Sequence, residues 1–116
     1  MNIVVIDDER TFDSDLPVRY ARTGQEGLAL LADYWTLQRT RHDYDMDELY
    51  LDHDLGPEDE IRPCVAFLEA VARLGQPFNV GTIFVHTQNP VGAEAMIASL
   101  SRYYNTKRIT LPVLAS

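Results

Sequence analysis

Three short stretches concentrate the side chains that could do chemistry: "DDER" at residues 7–10, "LDHDLG" at 51–56 and "VHTQNP" at 85–90. Each closes an apolar run, where an ionisable group is costly to keep unless something uses or neutralises it. Asp7, Asp8 and Asp52 offer carboxylate oxygens, the ligands that Mg2+ or a similar hard cation takes together with waters and phosphate oxygens. Histidine is the side chain whose ordinary titration falls near neutrality, which singles out His53 and His86. Flanking a phosphodiester, they could act as base and acid, one activating water and the other protonating the leaving oxygen. Each imidazole has an equally simple structural role as the hydrogen-bonding partner of a neighbouring carboxylate, and the sequence leaves the two readings level.

Asp54 fits an outer ligand or an orienter of a histidine. Asn89 is a natural N-cap and Pro90 a natural first helical residue, so backbone N–H groups would point toward His86 and Thr87 and could receive a phosphate. Arg10 could contact that phosphate or merely neutralise the acidic cluster. Glu9 reads as solvent-facing, and His42, in a polar loop, has no assigned role.

Elements that would hold these groups follow from the apolar pattern. "NIVVI" (2–6) is a short continuous apolar run, as expected of a strand covered on both faces, and "PVRYART" (17–23) is a weaker strand. Thr23 with Glu26 predicts a capping box ahead of a helix from about 24 to 38. Residues 39–48 read as polar and irregular, and "LYLD" (49–52) as the next buried strand. A helix over 63–75 is stopped by Gly75, with acidic residues before it. A strand over 81–87, a helix from Asn89 to about Tyr103 or Tyr104, and a last strand over 108–114 complete the pattern. Pro112 suits that last strand to a sheet edge.

Alternating β and α elements of this kind predict an α/β domain spanning 1–116: a flavodoxin-like three-layer sandwich around a five-stranded parallel sheet of order 2-1-3-4-5. The first crossover, residues 9–16, is poor in helix signal, so its helix is expected to be short or absent. Ligands of such sheets bind beyond the carboxyl ends of the central strands. Strands one, three and four are neighbours in this order, which would bring the three stretches to one crevice.

The 116 residues, 46% hydrophobic and 24% charged, fit one soluble globular domain. No apolar run is long enough for a membrane span and no basic leader precedes the first strand, so the expected compartment is the cytoplasm and no membrane partner is expected. A net charge of -8 argues against non-specific nucleic-acid binding but not against a small phosphate ligand. The one cysteine, Cys64, has no partner for a disulfide or a zinc pattern and reads as a bystander. The "YWTL" aromatics and Phe67 are assigned to packing.

With "DDE" after strand one, an aspartate after strand three and a threonine after strand four, the chain resembles the receiver domains of response regulators. That resemblance implies a cation site at Asp7 and Asp8, a phospho-acceptor at Asp52 and a switch hydroxyl at Thr87. The usual lysine after strand five is missing, and receivers do not normally carry "HD" after the acceptor or a histidine before the switch residue. "DDER", "LYLDHDLG" and "VHTQNPVGAEAM" together look like the cyclic-phosphate processing receiver-like family, whose pattern is DDxR, LDHDLG and H-[ST]-x-N-P in this order.

The expectation is therefore a metal-assisted phosphodiesterase-like hydrolase acting on a cyclic phosphate, either a small cyclic nucleotide or an RNA end. Asp7, Asp8 and Asp52 would hold the cation, Mg2+ or else Mn2+ or another transition metal, with His53, His86 and Asp54 as the catalytic group and Arg10, Thr87 and Asn89 positioning the phosphate. The alternative is a non-enzymatic receiver-like signalling or ligand-binding module with Asp52 as phospho-acceptor.

Overall fold

In the computed structural model, which describes residues 2–8, 18–52, 61–86 and 90–109, the chain alternates strands and helices. The order is β1 (Ile3–Ile6), β2 (Val18–Ala21), α1 (Gly24–Gln38), a single 3-10 turn (His42–Tyr44), β3 (Met46–Asp52), α2 (Arg62–Arg73), β4 (Val80–His86), α3 (Pro90–Leu100) and β5 (Thr106–Ile109). The strands form one five-stranded sheet of order β2-β1-β3-β4-β5, all pairs parallel. This is the flavodoxin-like receiver arrangement expected from the sequence. The first crossover, the segment carrying Pro112, and the acidic residues 58–60 lie outside the described residues.

Side-chain parity sorts the strands into two faces. Val4, Ile6, Leu49, Leu51, Ile83 and Val85 are all fully buried and join the apolar sides of α1, α2 and α3 in the main core. Ile3, Val5 and Tyr50 point the other way and form a smaller cluster with Val18, Tyr20, Phe84 and Ile109. Tyr50 and Phe84, register partners on β3 and β4, stack there with ring centroids 4.7 Å apart. Among the described residues, all three helices therefore pack on one face, so these residues supply two layers of the expected three-layer sandwich.

α1 begins where its capping pattern predicts. The Glu26 N–H donates to Thr23 Oγ1 at 3.0 Å, and the Glu26 carboxylate reaches back to the Arg22 N–H at 3.3 Å, satisfying donors that the first turn leaves open. Gly27 sits where α1 crosses β1. A β-carbon there would lie 2.8 Å from Ile6 Cγ2 and 3.2 Å from Cys64 Sγ, so only hydrogen fits. Cys64 is fully buried and its thiol donates to the Gly24 carbonyl at 3.4 Å, the structural role expected of it. Near the other end of α1, the Trp35 indole donates to the Gln76 carbonyl at 2.9 Å and packs edge-on against Phe67, itself edge-on to Phe78.

β5 begins at Thr106 rather than at the expected Arg108, and two further bounds differ from expectation for identifiable reasons. β3 starts at Met46 rather than Leu49 because the polar stretch before it is already paired: the Met46 N–H donates to the Asn79 carbonyl at 2.9 Å, and Asp47 Oδ2 accepts the Asn2 N–H at 2.8 Å. The acidic side chains are hydrogen-bonded at the rim of the sheet, so composition hides the strand. α3 ends at Leu100 and tightens into a turn through Tyr104. That turn brings the Tyr104 hydroxyl into the core, where it donates to the Leu68 carbonyl at 2.8 Å and accepts the Phe78 N–H at 3.1 Å. α2 stops as expected at Gly75, whose φ of 79° is the left-handed conformation glycine adopts without cost.

Candidate functional site

The carboxyl ends of β1, β3 and β4 lie side by side in the sheet. In the β1–β3 register Val5 pairs with Tyr50, and in the β3–β4 register Asp52 pairs with His86. Counting by two along each strand puts Asp7, Asp52 and His86 on the face that carries Val5, Tyr50 and Phe84. They are the next row of that face, one step beyond the aromatic stack.

All three side chains are buried, Asp7 at 2% exposure, Asp52 at 8% and His86 at 5%. Each offers an oxygen or nitrogen ligand atom, and these atoms lie within 4.8 Å of one another. His86 Nδ1 approaches Asp7 Oδ2 to 3.9 Å. Main-chain pairing fixes the base of the group: the Asp7 N–H donates to the Ala21 carbonyl at 3.0 Å, continuing the β1–β2 ladder one residue past the strand.

Of the residues expected to form the site, the structure brings together Asp7, Asp52 and His86. Asp8, half-buried just beyond β1, is not one of the trio. Arg10, His53, Asp54, Thr87 and Asn89 lie outside the described residues.

One neighbouring residue went unnoticed in the sequence. Arg22 follows β2, lies 4.6 Å above the Tyr20 ring centroid, and donates from Nη1 to the Asp7 carbonyl at 3.3 Å. It holds a guanidinium at the edge of the acidic group. The sequence pattern sets Arg22 inside the strand over 17–23, whereas β2 ends at Ala21 and leaves Arg22 the first residue beyond it.

Two buried carboxylates beside an imidazole form a donor set suited to a divalent cation, whose charge offsets the cost of holding the carboxylates together. The residues present therefore fit a metal ion.

The family model of the cyclic-phosphate processing receiver domain matches residues 2–102. The chain belongs to that family. Comparison with curated proteins and with solved structures gives no match. Membership in the cyclic-phosphate processing receivers places the chain in a group associated with that chemistry, and the fold agrees, with its five-stranded 2-1-3-4-5 sheet and three helices. No described helix is long and apolar enough to cross a membrane.

Proposed function

We propose that this cyclic-phosphate processing receiver domain is a metal-assisted phosphodiesterase-like enzyme that opens a cyclic phosphate of a nucleotide or an RNA end. The observation that carries this reading is the meeting of Asp7, Asp52 and His86 at the carboxyl edge of the central strands.

Asp7 and Asp52 hold a divalent cation, with Asp8 close by in the chain. When bound, that cation supplies Lewis-acid polarisation of phosphate oxygens and neutralises charge that builds on them. His53 exchanges a proton with water or the leaving oxygen, and Asp54 orients its ring. His86 stands where its ring can serve in one of two ways, by exchanging a proton or by giving a lone pair to the cation. Arg10, Thr87 and Asn89 position phosphate oxygens, and the Arg22 guanidinium adds positive charge at the same edge.

The test is a screen of 2′,3′-cyclic and 3′,5′-cyclic nucleotides and cyclic dinucleotides against a panel of divalent metals, with Asp52→Asn as the control. Metal-dependent opening of at least one cyclic phosphate, lost in Asp52→Asn, is the expected result. No turnover of any substrate with any metal would set the enzymatic reading aside.

A further inference from the structure

We infer that His86 is a direct metal ligand, which makes the centre an Asp7–Asp52–His86 site for a transition-metal dication rather than an all-oxygen Mg2+ site. This inference rests on the metal-assisted reading and specifies its ion.

Position is the first argument. His86 is the register partner of Asp52 and shares its face of the sheet, so the two side chains project together from adjacent strands. Asp7 lies on the far side of β3, about 9–10 Å from β4 at the usual interstrand spacing. The His86 ring nevertheless comes within 3.9 Å of Asp7 Oδ2. The side chains of Asp7 and His86 therefore converge over Asp52, and ligand atoms of all three lie within 4.8 Å of one another, close enough to share one ion.

Burial is the second. At 5% exposure the ring lies among the carboxylates, away from bulk water. A residue that exchanges protons with a substrate must come within hydrogen-bond reach of the reacting oxygen or of one intervening water. A ligand needs only its lone pair to face the ion.

Ligand chemistry is the third. Two carboxylates and a neutral imidazole carry a net charge of -2, balancing a dication. Mg2+ prefers oxygen donors and keeps several waters. Imidazole nitrogen favours first-row transition metals and zinc, with affinity generally rising from Mn2+ toward Cu2+. One of three protein ligands being nitrogen therefore biases the site away from Mg2+. Proton transfer then falls to His53.

The test uses the whole chain and does not depend on turnover. Mn2+ and Mg2+ are titrated separately by calorimetry, and the Mn2+-loaded protein is examined by electron spin-echo envelope modulation for directly bonded nitrogen. The expected result is Mn2+ binding at least about tenfold tighter than Mg2+, with one 14N coupling. His86→Ala should abolish that coupling and weaken Mn2+ about 10- to 100-fold, with a much smaller effect on Mg2+. Should His86→Ala fold poorly, His86→Gln and the wild-type spectrum carry the same test. Mn2+ bound without nitrogen coupling, or coupling that persists in the His86 variants, overturns the ligand assignment while leaving a metal site at Asp7 and Asp52. Absence of binding by either ion overturns the metal-assisted reading and the inference with it.

Discussion

His86 Nδ1 lies 3.9 Å from Asp7 Oδ2 although β3 runs between their strands. Neither residue could be placed beside the other by neighbouring-strand pairing alone. The contact requires both side chains to lean over Asp52, and it ties the three strand ends into one unit.

Removing the central member of that unit should therefore uncouple the protein from metal. A ligand at 100 times its dissociation constant stabilises the folded state by about 2.7 kcal/mol. Wild type should show a saturable rise in Tm on titration with Mn2+, and Asp52→Asn should lose most of it. A rise of equal size in Asp52→Asn would remove this aspartate from the metal set.

The aromatic row beneath the site makes an alkaline prediction. Burial, with the negative Glu48 carboxylate beside it, pushes the Tyr50 hydroxyl up to about 12 from its ordinary 10.0. Between these values the folded state keeps a proton that the unfolded chain has released. The associated stability is fully present below pH 10.0 and is lost as pH rises toward about 12. Chemical denaturation across that window should show wild type weakening with pH, and Tyr50→Phe should show a shallower decline.

Gly27 governs how closely α1 approaches the strand that delivers Asp7. Its added β-carbon would meet Ile6 Cγ2 at 2.8 Å, beyond what a helix propensity gain of about 1 kcal/mol from alanine can offset without movement. Gly27→Val should destabilise by about 1–3 kcal/mol or more, as overpacking does. Because Ile6 immediately precedes Asp7, metal affinity should fall as well, measurable by the same calorimetry.

Tyr104 supplies a separate test away from the site. Its hydroxyl satisfies two buried main-chain groups, the Leu68 carbonyl and the Phe78 N–H. Tyr104→Phe leaves both without that oxygen and should cost about 1–3 kcal/mol in urea denaturation. Metal affinity should stay unchanged, since the Asp7–Asp52–His86 group makes no use of this hydroxyl.

Strand order, α1 with its Thr23 cap and the meeting of Asp7 with Asp52 were legible because each leaves a local mark: an apolar run, a Thr-x-x-Glu spacing, a charge at a strand end. The lower half of β3 was hidden because Asp47 spends its carboxylate on the Asn2 N–H, and polar composition reads as loop. The inward lean of His86 was not legible either. It depends on side-chain direction across three strands, whereas sequence spacing fixes only which face a residue takes. Arg22 escaped notice because it interrupts no apolar run, and its contact with Asp7 is to main chain.

The chain has one tryptophan, Trp35, and its indole is tied to Gln76, just before the start of β4, whereas His86 closes that strand. Its emission should therefore follow unfolding of the helical layer and stay constant while the carboxyl edge fills with metal or phosphate. The protein thus carries a fluorescent standard of its own, against which any change at the site can be separated from loss of structure in a single cuvette.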